Sequence, residues 1–146
     1  MKRWFGLALG AALIPALMAG GPQDRAYAQN SAAKLQAQRA AGQWLALVDA
    51  GEYGESYDRA AQSFKSAVTR AQWIQAVTAA RGTLGKLVSR RLTRAAETKN
   101  PPSGPPGDYM VLQYQSSFAN TKSALETVVP VFEKDGKWRV STYTVK

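Results

Sequence analysis

The chain contains no cysteine and no histidine. Without cysteine there can be no disulfide, no thiolate chemistry and no lipid attached at a cleavage-site cysteine. Without histidine the commonest general base and the commonest metal ligand are both missing. Ser-His-Asp and Cys-His catalytic arrangements and Cys/His zinc sites are excluded together. No metal or other cofactor is expected, and any catalysis would have to rely on carboxylates, Lys, Tyr or Arg. Acidic residues are also few: 10, against 19 Lys and Arg, a formal net charge of +9. Long apolar runs are absent beyond residue 19, so nothing after that point is long enough to span a bilayer.

The N-terminus is organised in three zones. Lys2 and Arg3 are basic, Phe5 to Ala19 is uncharged and apolar, and Gly20 to Ala28 is more polar and ends in Ala26-Tyr27-Ala28. This is the order of a cleavable secretory signal, with small residues at the first and third positions before the cut. The apolar zone is short for a spanning helix and is interrupted at Pro15 and at Gly20-Gly21-Pro22. The reading is a leader over 1–28, cleavage after Ala28, and one domain over 29–146 without a transmembrane anchor, located in the periplasm or secreted. Lys2, Arg3, Arg25 and Asp24 leave with the leader, which lowers the net charge from +9 to +7. Such a charge favours anionic partners. Export makes nucleic acid a poor choice among them and points to an anionic envelope component. Trp44, Trp73 and Trp138 supply large apolar surfaces for a core that must hold without disulfides.

Ala37, Ala41, Trp44, Leu45 and Val48 repeat at three and four residues, which predicts a helix over 32–50 capped by Asn30 or Ser31 and stopped at Gly51. A second helix is predicted over 52–62. Thr69 and Gln72 match a capping box, opening a third helix that runs to Arg81 with Trp73, Ile74, Val77 and Ala80 inward. Strands follow over 86–97, 108–118, 123–133 and 138–145. The segment from Thr98 to Gly107 holds four Pro and two Gly, so 100–107 is a Pro/Gly-rich loop. In the second strand Met110, Leu112, Tyr114 and Phe118 share a face. Pro130 marks a bulge or an edge, and Asp135-Gly136 a hairpin turn. In the last strand, alternation groups Trp138, Val140 and Thr142 against Arg139, Tyr143 and Val145. Three helices followed by four hairpin-linked strands predict an α+β domain, its helices packed on one face of an antiparallel sheet.

The chain resembles the family of small exported bacterial proteins known as domain of unknown function 4019. The resemblance lies in Trp44 to Tyr53, Phe64-Lys65 with Gln72-Trp73, Arg81 to Gly85 with Ser89-Arg90, Glu126-Thr127, and Asp135 to Val140. It implies a cone-shaped fold with a curved four-stranded sheet, similar to the nuclear-transport-factor-2-like and ketosteroid-isomerase-like superfold. It implies no activity and no catalytic residues. Ser56 stands where the family pattern has Trp, a departure that implies looser packing of the second helix.

The candidate ligand-binding residues are Arg90, Gln113, Glu126 and Tyr143. Glu126 lies among apolar residues of the third strand, where an inward carboxylate needs a partner, and Arg90 can supply one across the sheet. Such a set is either the polar floor of a small-ligand pocket or a structural ion pair. As a catalytic group, Glu126 would serve as a proton-transfer base with Tyr143 or Tyr114 as hydrogen-bond donor. The series Arg81, Lys86, Arg90, Arg91, Arg94 and Lys99 reads either as a face for an anionic partner or as a charged edge that discourages strand pairing. A homodimer through the sheet is a third arrangement. The preferred reading is a non-catalytic binding or accessory module, with an isomerase- or dehydratase-like enzyme or a self-associating envelope protein as alternatives.

Overall fold

The computed structural model describes residues 20–101 and 104–146. The basic and apolar zones of the predicted leader, Lys2-Arg3 and Phe5 to Ala19, lie outside the described residues. Four helices precede four strands: α1 (Pro22–Asp49), α2 (Tyr53–Asp58), α3 (Gln62–Ala67), α4 (Arg70–Leu84), β1 (Leu87–Thr98), β2 (Tyr109–Phe118), β3 (Ala124–Phe132) and β4 (Trp138–Val145). No helix among the described residues is long and apolar enough to cross a membrane.

α1 begins ten residues before the predicted start, so Asn30 and Ser31 lie inside it and cap nothing. Its first turn has its own start signals. Pro22 sits where a missing N–H costs nothing, and the Gly21 amide donates to the Asp24 carboxylate at 2.9 Å. The predicted stripe of Ala37, Ala41, Trp44, Leu45 and Val48 is the buried face, whereas residues 21–30 are exposed. Only the later part of α1 is therefore held by packing.

The single predicted helix over 52–62 is two short ones. Between them Ala60 and Ala61 are buried, and the Ala61 amide donates to the Val140 carbonyl at 2.8 Å. A backbone amide engaged by β4 cannot also continue a helix, so the chain breaks there. α4 opens with the predicted capping box: Thr69 Oγ1 accepts from the Gln72 amide, and Gln72 Oε1 from the Thr69 amide. It passes through Gly82 and ends at Gly85, whose φ of +79° suits glycine.

The strands form one open antiparallel sheet in the order β1-β2-β3-β4. The fold is α+β. One sheet face carries Met110, Leu112, Tyr114, Val128 and Val140 and packs on Trp44, Leu45 and Val48 of α1, Phe64 of α3, and Trp73 and Val77 of α4. β3 is an interior strand, so Pro130 marks a bulge and not an edge; the register shifts between Val129 and Pro130. The pairing passes from Val129↔Thr142 to Pro130↔Val140, leaving Ser141 as the extra residue. Simple alternation separates Tyr143 from Val140. The bulge brings both to the core face.

Ser56 corrects another expectation. It is fully buried. Its Oγ accepts from the Trp73 indole at 2.9 Å and donates to the Tyr53 carbonyl at 2.7 Å, while its own carbonyl accepts from the Trp44 indole at 2.8 Å. The indole N–H groups of Trp44 and Trp73 both end on this one residue. A buried indole donor needs such a partner, so the serine fastens α2 to α1 and α4 instead of loosening it.

Candidate functional site

Glu126 is the centre of the polar structure inside the fold. Alternation along β3 turns it inward with Ala124 and Val128, and its side chain is wholly buried. Arg90 on β1 is opposite Ser116 on β2, and both face the same interior. Arg90 Nε donates to Glu126 Oε1 at 2.7 Å and Nη2 to Oε2 at 3.2 Å. Ser116 Oγ donates to Oε1 and Tyr143 Oη to Oε2, both at 2.5 Å. A carboxylate offers about four lone-pair directions, and four donated hydrogen bonds fill them.

The network extends beyond this carboxylate. Arg90 Nη1 and Nη2 reach the Asp49 carboxylate at 2.7 and 3.0 Å, and Arg81 Nη2 donates to the same group. Arg81 comes from the last turn of α4. Its guanidinium lies 4.9 Å from the centre of the Phe118 ring and its Nη1 lies 3.8 Å from Glu126 Oε2. Asp49 ends α1. Two carboxylates and two guanidiniums therefore balance in charge, and they tie α1 and α4 to the sheet. Burial by itself would raise the Asp49 pKa, but hydrogen bonds and charge from Arg90 and Arg81 hold it below the usual 3.8. Burial likewise disfavours the Arg90 cation, but Asp49 and Glu126 outweigh that and push its pKa up. Burial first, then the Glu126 carboxylate, raises the Tyr143 phenol.

The structure thus brings together Arg90, Glu126 and Tyr143 and leaves Gln113 out. Gln113 is opposite Arg94 and Thr127 on the other sheet face, half-buried. Sequence reasoning missed Asp49 and Ser116 and read Arg81 only as surface charge. Two of these carried a signal. Ser116 interrupts the apolar series Met110, Leu112, Tyr114, Phe118, and Arg81 continues the four-residue spacing of Trp73 and Val77, so each occupies an inward position. Asp49 has no such mark.

The site is closed. The four main cavities among the described residues are not lined by Glu126, Arg90 or Tyr143. One of them, about 440 Å³, lies between α1 and the strand ends, with Gln29, Gln36, Met110, Phe132 and Trp138 among its walls. No group of His, Cys, Asp or Glu among the described residues is arranged to hold a metal.

The basic series divides in two. Arg81 and Arg90 belong to the buried network. Arg91 and Arg94 are exposed. Regular alternation would put these two on opposite faces, but β1 shifts register between Leu92 and Arg94. Arg91 is opposite Gln115 and Arg94 opposite Gln113. Both arginines therefore lie on the sheet face away from the helices, beside two glutamines of β2. Neither forms an ion pair among the described residues, which include all 10 acids. Lys99, by contrast, meets Asp108 at 3.4 Å.

Residues 40–143 match the model of a family described as protein of unknown function, DUF4019. The chain belongs to this family. The matched segment contains the whole Asp49–Arg81–Arg90–Glu126 network, Ser56 and both outward arginines, and it begins after the exposed start of α1. No curated protein and no solved structure matches the chain.

Proposed function

We propose that this DUF4019 protein is an exported, non-catalytic binding module that meets an anionic envelope component through the open face of its sheet. The observation that carries the reading is the pair Arg91 and Arg94, set on one face by a bulge and left without carboxylate partners. A guanidinium is weakly hydrated and forks onto carboxylate, phosphate or sulfate oxygens, and the neighbouring Gln113 and Gln115 add neutral polar groups. The net charge of the processed chain, +7, attracts such a partner from a distance. Export is supported by the basic, apolar and small-residue zones ahead of Gln29. Helices gathered on one face of an antiparallel sheet agree with the cone-shaped superfold that the family resemblance implies.

Geometry supports the enzyme alternative poorly. Glu126 has no unfilled acceptor direction and lines none of the four main cavities among the described residues. A small-ligand reading draws on the cavity between α1 and the strand ends, whose volume lies in the range of ligand pockets. The deciding experiment is retention on immobilised heparin as a model polyanion. The variant Arg91→Gln/Arg94→Gln is expected to elute at clearly lower salt than the parent with unchanged thermal stability. Equal retention would remove the open-face reading.

A further inference from the structure

We infer that the exported chain carries pyroglutamate at Gln29, a modification site created by processing. The inference rests on the export reading above, in which Ala26-Tyr27-Ala28 directs the cut after Ala28. That cut makes Gln29 the N-terminal residue. An N-terminal glutamine holds its own nucleophile and electrophile within reach. The free α-amine attacks the side-chain amide carbon, a five-membered lactam forms, the bond from that carbon to the amide nitrogen breaks, and ammonia leaves. Nothing is oxidised or reduced and no co-reactant is consumed.

The fold leaves this reaction unopposed and gives it a consequence. Gln29 is exposed, and its side chain makes no hydrogen bond among the described residues. The groups that begin α1, namely Gly21, Pro22 and Asp24, all lie on the leader side of the cut. Processing therefore removes the cap, the helix-starting proline and the acid of the first turn in one step. It leaves a charged amine, whose ordinary pKa is about 8, at the positive end of the remaining helix, where a cation is unfavourable. Ring closure discharges that amine. Asn30 and Ser31, both suited to capping, follow at once and can take over the start of the helix. A lactam terminus also blocks trimming by aminopeptidases, which would otherwise enter at the exposed residues Gln29 and Asn30.

The test is the N-terminus of the protein as the cell makes it. The full chain is expressed in a bacterial host, the envelope fraction is purified cold, and intact mass and the N-terminal peptide are measured. The expected product is residues 29–146 lighter by one ammonia. It should be silent to stepwise N-terminal degradation and readable from Asn30 after treatment with pyroglutamyl peptidase. The Gln29→Ser variant should be readable without that treatment and should be lost faster to added aminopeptidase. A free Gln29 that persists after prolonged incubation at growth temperature overturns the modification and leaves export standing. An N-terminus anywhere else overturns the cleavage reading and the modification with it.

Discussion

Arg90→Met tests the buried network most directly. Arg90 gives four hydrogen bonds, two to Glu126 and two to Asp49. Removing it leaves a fully buried carboxylate with only Ser116 and Tyr143, and breaking a buried pair in this way costs about 3–5 kcal/mol. Arg81 still serves Asp49, so a loss near the lower end, about 3 kcal/mol, is expected. At roughly 4 °C per kcal/mol for a domain of this size, Tm should fall on the order of 12 °C. Urea unfolding followed by circular dichroism measures the loss, with the slope m unchanged. Replacing both partners, Arg90→Met/Glu126→Leu, removes the unpaired charge. It should therefore cost less than the two single losses added together, by about 1–3 kcal/mol. Acid gives an independent reading. The folded pKa of Asp49 lies below 3.8, so its contribution is complete above that pH and fades as pH falls through the lowered value. Arg90→Met lets that pKa climb back, so the gap between parent and variant should hold at neutral pH and narrow below 3.8. A single loss under about 1 kcal/mol would refute the reasoning, because it is the size expected of a solvent-screened surface pair.

Tyr143→Phe removes one donor to a charged acceptor and should cost about 1.5–3 kcal/mol, read in the same urea assay. Ser56→Ala deprives the Trp73 indole of its acceptor, with an expected loss of about 1–3 kcal/mol and a change in tryptophan emission. Thr69→Ala should cost about 1 kcal/mol through the α4 cap, measured by thermal unfolding. Arg91→Gln/Arg94→Gln should stay within about 0.5 kcal/mol of the parent in stability while eluting from heparin at clearly lower salt.

The order of elements was readable because each is marked by local chemistry: the Ala37–Val48 stripe, the Thr69–Gln72 box, the Met110–Phe118 alternation and the Asp135-Gly136 turn. The partnership of Arg90 with Glu126 was readable because a buried carboxylate demands a cation. What escaped depends on contacts between distant segments. The break at Ala61 follows from its bond to Val140, 79 residues later in the chain. The facing of Tyr143 and of Arg94 follows from bulges at Ser141 and beyond Leu92. A bulge reverses which side chains face inward; Pro130 signalled one without fixing which strand carries the extra residue, and the one beyond Leu92 left no mark in composition or periodicity. Asp49 was invisible because an acid at a helix end is usually solvated.

The Asp49–Arg90–Glu126 network also bears on the speed at which the molecule comes apart. Its bonds join residues 36 and 41 positions apart and require β1, β3 and α1 all to be in place before any charge is repaid for leaving water. Contacts of that kind are expected to close after the chain has condensed and to be among the first given up on the way out. Changes there should therefore fall mainly on the unfolding rate and leave the folding rate nearly untouched. In a chain with no cysteine, and so no disulfide to hold it closed, the network then acts as a latch on its lifetime. Arg90→Met should shorten the half-life of the native state in strong denaturant far more than it slows refolding.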